Sequence, residues 1–355
     1  MTADLAEIAD QRAAFAALAG ALLLSEPGPR TAPFVERVPE LAALADAATG
    51  VDYERIFLRA VVPYESVFRS DEAERGGVVA SRVADHLDDI GFDEHRTGRW
   101  RVAGPDHLGL ELRAYAYLVG LEASAWRNGR PDEAARYVES QRRLLGDHLA
   151  WWAQVALDAL VGPAGGSAYA ALVDEVEQFL VEEIDRLRPV PLLDTSQLDE
   201  VPSIGRLGPR RLARHLLSPA RSGMWLGLAE IGDAARNLGF PWRPMDGRQN
   251  LVPLVAAAVD AREIGQLVQP WVGLARETAA RAAHRAATQP GAEVVWQSTA
   301  MRAGVTLELL ERLQHEDLRA DDDHELVIRV SGSGAARAVD ELRAAGYDVE
   351  IVDGS

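Results

Sequence analysis

Apolar residues recur every three to four positions through most of the first 187 residues, the spacing of amphipathic helices. Leu5, Ile8, Phe15, Leu18 and Leu22 predict a helix over 4–24, and Ser25-Glu26-Pro27-Gly28-Pro29 stops it because proline cannot continue the hydrogen-bond ladder. Phe34, Val38, Leu41 and Leu44 predict a second helix over 32–48. Tyr53, Ile56 and Phe57 predict a short third one that breaks into a loop at Pro63-Tyr64-Glu65. Val79, Val83, Leu87 and Ile90 predict a helix over 71–90, closed by Gly91. Asp106 stands where an N-cap belongs, ahead of a helix through Leu108, Leu112, Tyr115, Leu118 and Ala125. Pro131 fits the first turn of the next, which carries Tyr137, Leu144, Leu145, Trp152 and Val155. After the break at Gly162-Pro163-Ala164-Gly165-Gly166, Tyr169, Leu172, Val176, Phe179 and Leu180 predict one more helix to about 187. No strand pattern interrupts this series, so residues 1–187 read as an all-α bundle.

The remainder divides in three. Residues 188–208 are rich in proline and lack a period, as a linker does, and 209–319 show helical spacing again. Within that second helical region the short run Glu293 to Ser298 fits either a strand or the start of a helix ending near Leu313. Residues 320–355 change character: Glu325 to Val330 and Tyr347 to Val352 alternate like strands around a helical stretch from Ala335 to Ala345, a small C-terminal βαβ unit. The fold class expected is mainly α.

Composition narrows the function. The chain has 355 residues and no cysteine, which excludes thiolate chemistry and disulfides. Its formal net charge of −18 argues against nucleic-acid binding, which needs a basic footprint, and favours basic partners. No stretch is long and uncharged enough for a membrane span, and the first residues, Met-Thr-Ala-Asp-Leu-Ala-Glu, lack the basic start of an export signal. Cytoplasmic residence is expected. Asp-His pairs occur at 85, 106, 147 and 323, but no His spacing gathers metal ligands on one helical face. Asp88-Asp89 with Asp93-Glu94 brackets Gly91 and reads as a solvated helix end. No catalytic residue, metal or cofactor is assigned.

The order of several motifs resembles the TorD/DmsD family of cytoplasmic chaperones for molybdoenzyme maturation. They are Tyr53-x-x-x-Phe57 leading to Pro63-Tyr64-Glu65-Ser66-Val67, then Pro105-Asp106-His107 opening a helix that continues Leu108-Gly109-Leu110-Glu111-Leu112. Gln141-Arg142-Arg143, His148-Leu149 and Trp151-Trp152 follow in the next helix. The likeness covers about residues 8–187. The family's loop often has two prolines and a tryptophan where this chain has Val62, Pro63 and Tyr64. The resemblance implies a non-enzymatic, all-helical chaperone. Its partner would be the catalytic subunit of a molybdenum-cofactor oxidoreductase, bound through its twin-arginine leader until the cofactor is inserted. It also implies homodimers.

Such a leader joins two guanidiniums to an apolar stretch of about 7–15 residues. Its receptor needs an apolar groove with carboxylates at the rim. Tyr53, Phe57 and Tyr64 are expected as the apolar wall, Glu65, Asp106 and Glu111 as the carboxylates, and His107 as a further contact. Pro63 and Pro105 would stiffen the two loops and lower the ordering cost of binding. Two other readings are a metal-dependent hydrolase built on an Asp/His cleft, and a regulatory protein that binds a small molecule through its C-terminal βαβ unit.

Overall fold

A computed structural model describes residues 2–29, 31–45, 49–70, 73–96, 104–189, 207–242 and 248–315, with the backbone alone at 325–328 and 348–351. The fold is mainly α. Helix α1 (Thr2–Leu24) packs antiparallel against α6 (Leu108–Arg127): Asp10 pairs with Arg127 at 2.7 Å near one end, and Gly20 meets Gly109 near the other. A methyl group built on either glycine would lie 2.6 Å from the other's carbonyl oxygen, so the two backbones touch there.

Between them in sequence come α2 (Ala32–Val35), α3 (Thr49–Tyr53), α4 (Glu65–Arg69) and α5 (Gly77–Asp89). A π turn over Glu54–Ala60 extends α3. A long helix follows α6: α7 (Pro131–Leu144), a π turn over Leu145–Leu149, and α8 (Ala150–Ala164). Helix α9 (Tyr169–Leu187) completes the first region. Leu22, Leu41, Ile56, Phe57, Leu112, Tyr115, Trp152, Tyr169 and Val176 belong to its single apolar core. A buried polar knot locks four of its helices: Arg12 donates to Glu183 (2.6 Å), to Gln141 (3.1 Å) and to Glu122 (3.3 Å), and Gln141 donates to Glu122 (2.9 Å). Every member has a partner, so burying these charges is tolerated.

The second region holds α10 (Pro209–Leu217), α11 (Pro219–Ser222), α12 (Leu228–Asn237), α13 (Leu251–Asp260), α14 (Ile264–Thr288) and α15 (Glu293–Leu313). Leu212, Leu216, Ile231, Val255, Leu267, Trp271 and Leu309 build a core of its own. It lies directly on the first region. Phe68 of α4 stacks on Trp225 (centroids 5.0 Å apart, planes at 16°), Ser218 Oγ donates to the Ser70 carbonyl at 2.8 Å, and Asp158 receives Arg281 and Arg285 at 3.2 and 3.3 Å.

Several expectations need correction. The helix expected over 32–48 is only α2 followed by a 3₁₀ turn over Pro39–Ala45. The helix expected over 71–90 starts only at Gly77, because positive φ at Gly76 and at Gly77 itself (99° and 68°) keeps the helix from extending further back. The undecided run at 293 is helical: Val295, Thr299, Ala303, Thr306, Leu310 and Leu313 are buried at one helical spacing. Residues 190–206 of the expected linker lie outside the described residues. So does the helix expected over 335–345, while the backbones of β1 (Glu325–Ile328) and β2 (Asp348–Ile351) pair in parallel, Glu325 opposite Asp348.

Candidate functional site

The two proline loops meet. Glu65 N–H donates to the Asp106 carbonyl (2.8 Å) and Leu108 N–H to the Pro63 carbonyl (2.9 Å), pairing Tyr64 with His107 as an antiparallel bridge. The Tyr64 and His107 rings pack edge to face at 4.8 Å. This pairing corrects the expected cap. His107, not Asp106, caps α6, its Nδ1 accepting from Gly109 N–H at 3.0 Å. Asp106 is turned across the seam instead, and its carboxylate accepts from Ser66 N–H at 3.0 Å in the first turn of α4.

These side chains therefore serve the seam rather than a rim. Tyr53 and Phe57 lie in the core against Tyr169, and Tyr53 donates to the Leu23 carbonyl at 3.1 Å. Pro63, Tyr64, Asp106 and His107 are buried, and Pro105 is half-buried. The expected carboxylates do gather, but inside the wall. Glu111 is 0 % exposed, with one oxygen accepting from Trp152 Nε1 (3.3 Å) and the other lacking a protein partner. Burial, then the nearby Glu65 and Asp106, raise its pKa well above the ordinary carboxylate value.

Of the nine expected residues, Glu65 alone reaches the main cleft. This opening of about 1080 Å³ runs between the two helical regions. Three helices turn one stripe each toward it. Val79, Arg82, His86 and Asp89 come from α5, whose Val83 and Leu87 face the core. Arg143, Asp147, Trp151 and Val155 come from α7, its π turn and α8. Val295, Ser298, Thr299 and Arg302 come from α15. Phe68, Trp152 and Pro219 add apolar surface, and Asp85 a further carboxylate.

A polar chain runs along one wall. Glu65 Oε2 lies 2.9 Å from His148 Nδ1, and His148 Nε2 lies 3.1 Å from His86 Nδ1. Since a carboxylate only accepts, His148 donates from Nδ1 and can accept from His86 through Nε2. Burial, then the neighbouring His148, lower the pKa of His86, which favours its neutral ring. Glu65 Oε1 binds Nη1 of Arg69, and the same nitrogen donates to the Asp147 carbonyl at 2.7 Å.

Residues 9–158 match the family described as nitrate reductase delta subunit. The likeness covers less than half of the chain. Members of that family are maturation chaperones of molybdoenzymes and not enzymes. No curated protein and no solved structure matches the chain. The family match covers α5, α7 and the first part of α8, and so most of the cleft; α11 and α15 lie beyond it. The matched part of the chain thus supplies Glu65, Arg69, His86 and His148, and the second region closes the other side.

Sequence reasoning passed over most of these residues. The repeated Asp-His pair was the signal available: the pairs at 85 and 147 bring His86 and His148 into contact across the fold, with ring centroids 5.0 Å apart. Glu65 and Arg69 are four apart on one helix, a spacing that predicts an ion pair. Among the described residues, no group of three or more His, Asp or Glu side chains is arranged to hold a metal ion. No described helix is long and apolar enough to cross a membrane.

Proposed function

We propose that this protein is a cytoplasmic chaperone that holds the catalytic subunit of a molybdenum-cofactor oxidoreductase by its twin-arginine leader, until the cofactor is inserted. The leader would lie in the cleft between the two helical regions. One observation carries this reading beyond the family match: the cleft sets apolar side chains (Phe68, Trp151, Trp152, Val155, Pro219 and Val295) beside carboxylates at Asp85, Asp89 and Asp147, with the chain's own Arg69, Arg82, Arg143 and Arg302 among them. An apolar helix or extended segment buries its oily residues on such a surface, and guanidiniums form charge-assisted bonds to the carboxylates. At about 1080 Å³ the opening exceeds the usual range of small-molecule sites, roughly 300–1,000 Å³. The acidic chain adds long-range attraction for a basic leader.

Titration of the leader peptide against the full chain, followed by tryptophan fluorescence, tests this directly, because Trp151 and Trp152 line the cleft. Saturable binding is expected, weakened when both leader arginines become lysine, since lysine lacks the planar two-pronged donor. Asp85→Asn with Asp89→Asn should weaken it as well. A leader that fails to bind the unaltered protein removes the proposal.

A further inference from the structure

We infer that Glu65 and the Asp147 carbonyl form a binding site for one guanidinium of an incoming ligand, and that Arg69 of the same chain occupies this site as a placeholder. The inference rests on the leader-binding reading above and adds where an arginine is received and what must leave.

The geometry has three parts. The acceptor is fixed: Glu65 is 1 % exposed, and its second oxygen is held by His148, itself backed by His86. Its position therefore does not depend on Arg69. A second acceptor is also fixed, because the Asp147 carbonyl belongs to the π turn joining α7 and α8. Wider turns of this kind recur at functional sites. The donor, in contrast, is the more exposed member. Arg69 sits in the last turn of a five-residue helix, its side chain is 28 % exposed, and it lines the cleft beside Glu65. Two rigid acceptors are thus bridged by one long, partly solvated side chain.

Purely structural pairing explains this arrangement less well. A buried carboxylate needs a cation, but such a cation is normally buried with it. Here the cation stands on the cleft side. If it swings out into the opening, the acceptors face a vacancy that favours a guanidinium over an ammonium, since a guanidinium is the more weakly hydrated cation and gives up less water on entering a mostly buried site. Self-occupancy then lowers the apparent affinity for any arginine-bearing ligand by the fraction of time the site is filled. It also discriminates against peptides lacking arginine, which cannot compensate Glu65 after displacing Arg69.

The test uses the full-length protein and three variants, with the leader peptide and methylguanidinium as probes. Arg69→Ala should bind the leader more tightly, by about tenfold if Arg69 fills the site nine-tenths of the time. Methylguanidinium should raise the melting temperature of Arg69→Ala and not of the unaltered protein, while methylammonium raises neither. Adding Glu65→Gln to Arg69→Ala should abolish both gains. Arg69→Gln, which keeps the stem of the side chain, serves the same measurements if Arg69→Ala does not fold. Equal or weaker leader binding by the Arg69 variant, without selective stabilisation by guanidinium, overturns the inference. If instead the leader binds neither protein yet methylguanidinium selectively stabilises the Arg69 variant, the guanidinium site stands and the leader-binding proposal falls.

Discussion

The carboxylate of Asp106 accepts a hydrogen bond from the backbone of Ser66, forty residues earlier, and so caps a helix it does not precede. Ser66 Oγ donates to the same oxygen. Asp106→Ala leaves the buried Ser66 N–H and the proton of its hydroxyl without an acceptor, although Gly76 N–H still donates to that hydroxyl oxygen at 3.0 Å, and such a loss costs about 1–3 kcal/mol. We expect denaturant unfolding to show that loss, and Ser66→Ala to show a smaller one because the backbone bond survives. A leader affinity unchanged in the folded fraction of Asp106→Ala would agree with its place in the seam.

Glu111 gives a pH signature. Burial first, then Glu65 and Asp106, raise its folded pKa above the ordinary 4.5. Below 4.5 both folded and unfolded chains hold the proton, and the residue costs nothing. As pH rises above 4.5 the unfolded chain releases it while the folded chain retains it. Stability therefore falls by up to about 1.4 kcal/mol per pH unit until the folded pKa is reached, and is flat above it. Glu111→Gln keeps an acceptor for Trp152 and lacks this loss. Melting curves across pH should show the variant gaining on the unaltered protein only above 4.5.

Gly20 and Gly109 let α1 and α6 touch. A methyl on either would lie 2.6 Å from a backbone carbonyl, which cannot yield without separating the helices. Gly20→Ala and Gly109→Ala should each cost about 1–3 kcal/mol, the range for overpacking. Equilibrium unfolding of the two variants measures it, and a gain in stability from the higher helix propensity of alanine would contradict the close approach.

Trp225 joins the two regions. One face stacks on Phe68 and the other receives the Arg248 guanidinium, 3.8 Å from the ring centre. Arg248 is half-buried and also donates to the Leu226 and Leu217 carbonyls; desolvation lowers its pKa to about 9. Trp225→Ala removes the ring and uncovers the cation, with an expected loss of about 3–5 kcal/mol. Limited proteolysis should then release the second region faster than in the unaltered protein.

Much of the helical plan is legible in the sequence. Periodicity marks α1, α6, the long helix from Pro131 and α9, because each hides one apolar stripe on a shared core and needs no distant information to be read. Shorter elements were misjudged where backbone conformation outweighed pattern, as at Gly76 and Gly77, or where a few apolar residues pack without helical continuity, as at 39–45. The motif residues of the two loops are legible in the sequence, but not their packing into one buried seam. A side chain's type is fixed by sequence, whereas its burial depends on what folds over it.

Composition and spacing by themselves determined a mainly helical, acidic, cysteine-free chain with two proline-bearing motif loops. Only tertiary structure decided that those loops close on each other, that Asp106 serves α4, and that the open surface lies one helix away between His86, His148, Trp151 and α15. The reason is physical: helices form from contacts a few residues apart, while a cleft is the space left between elements whose packing joins residues more than a hundred positions distant.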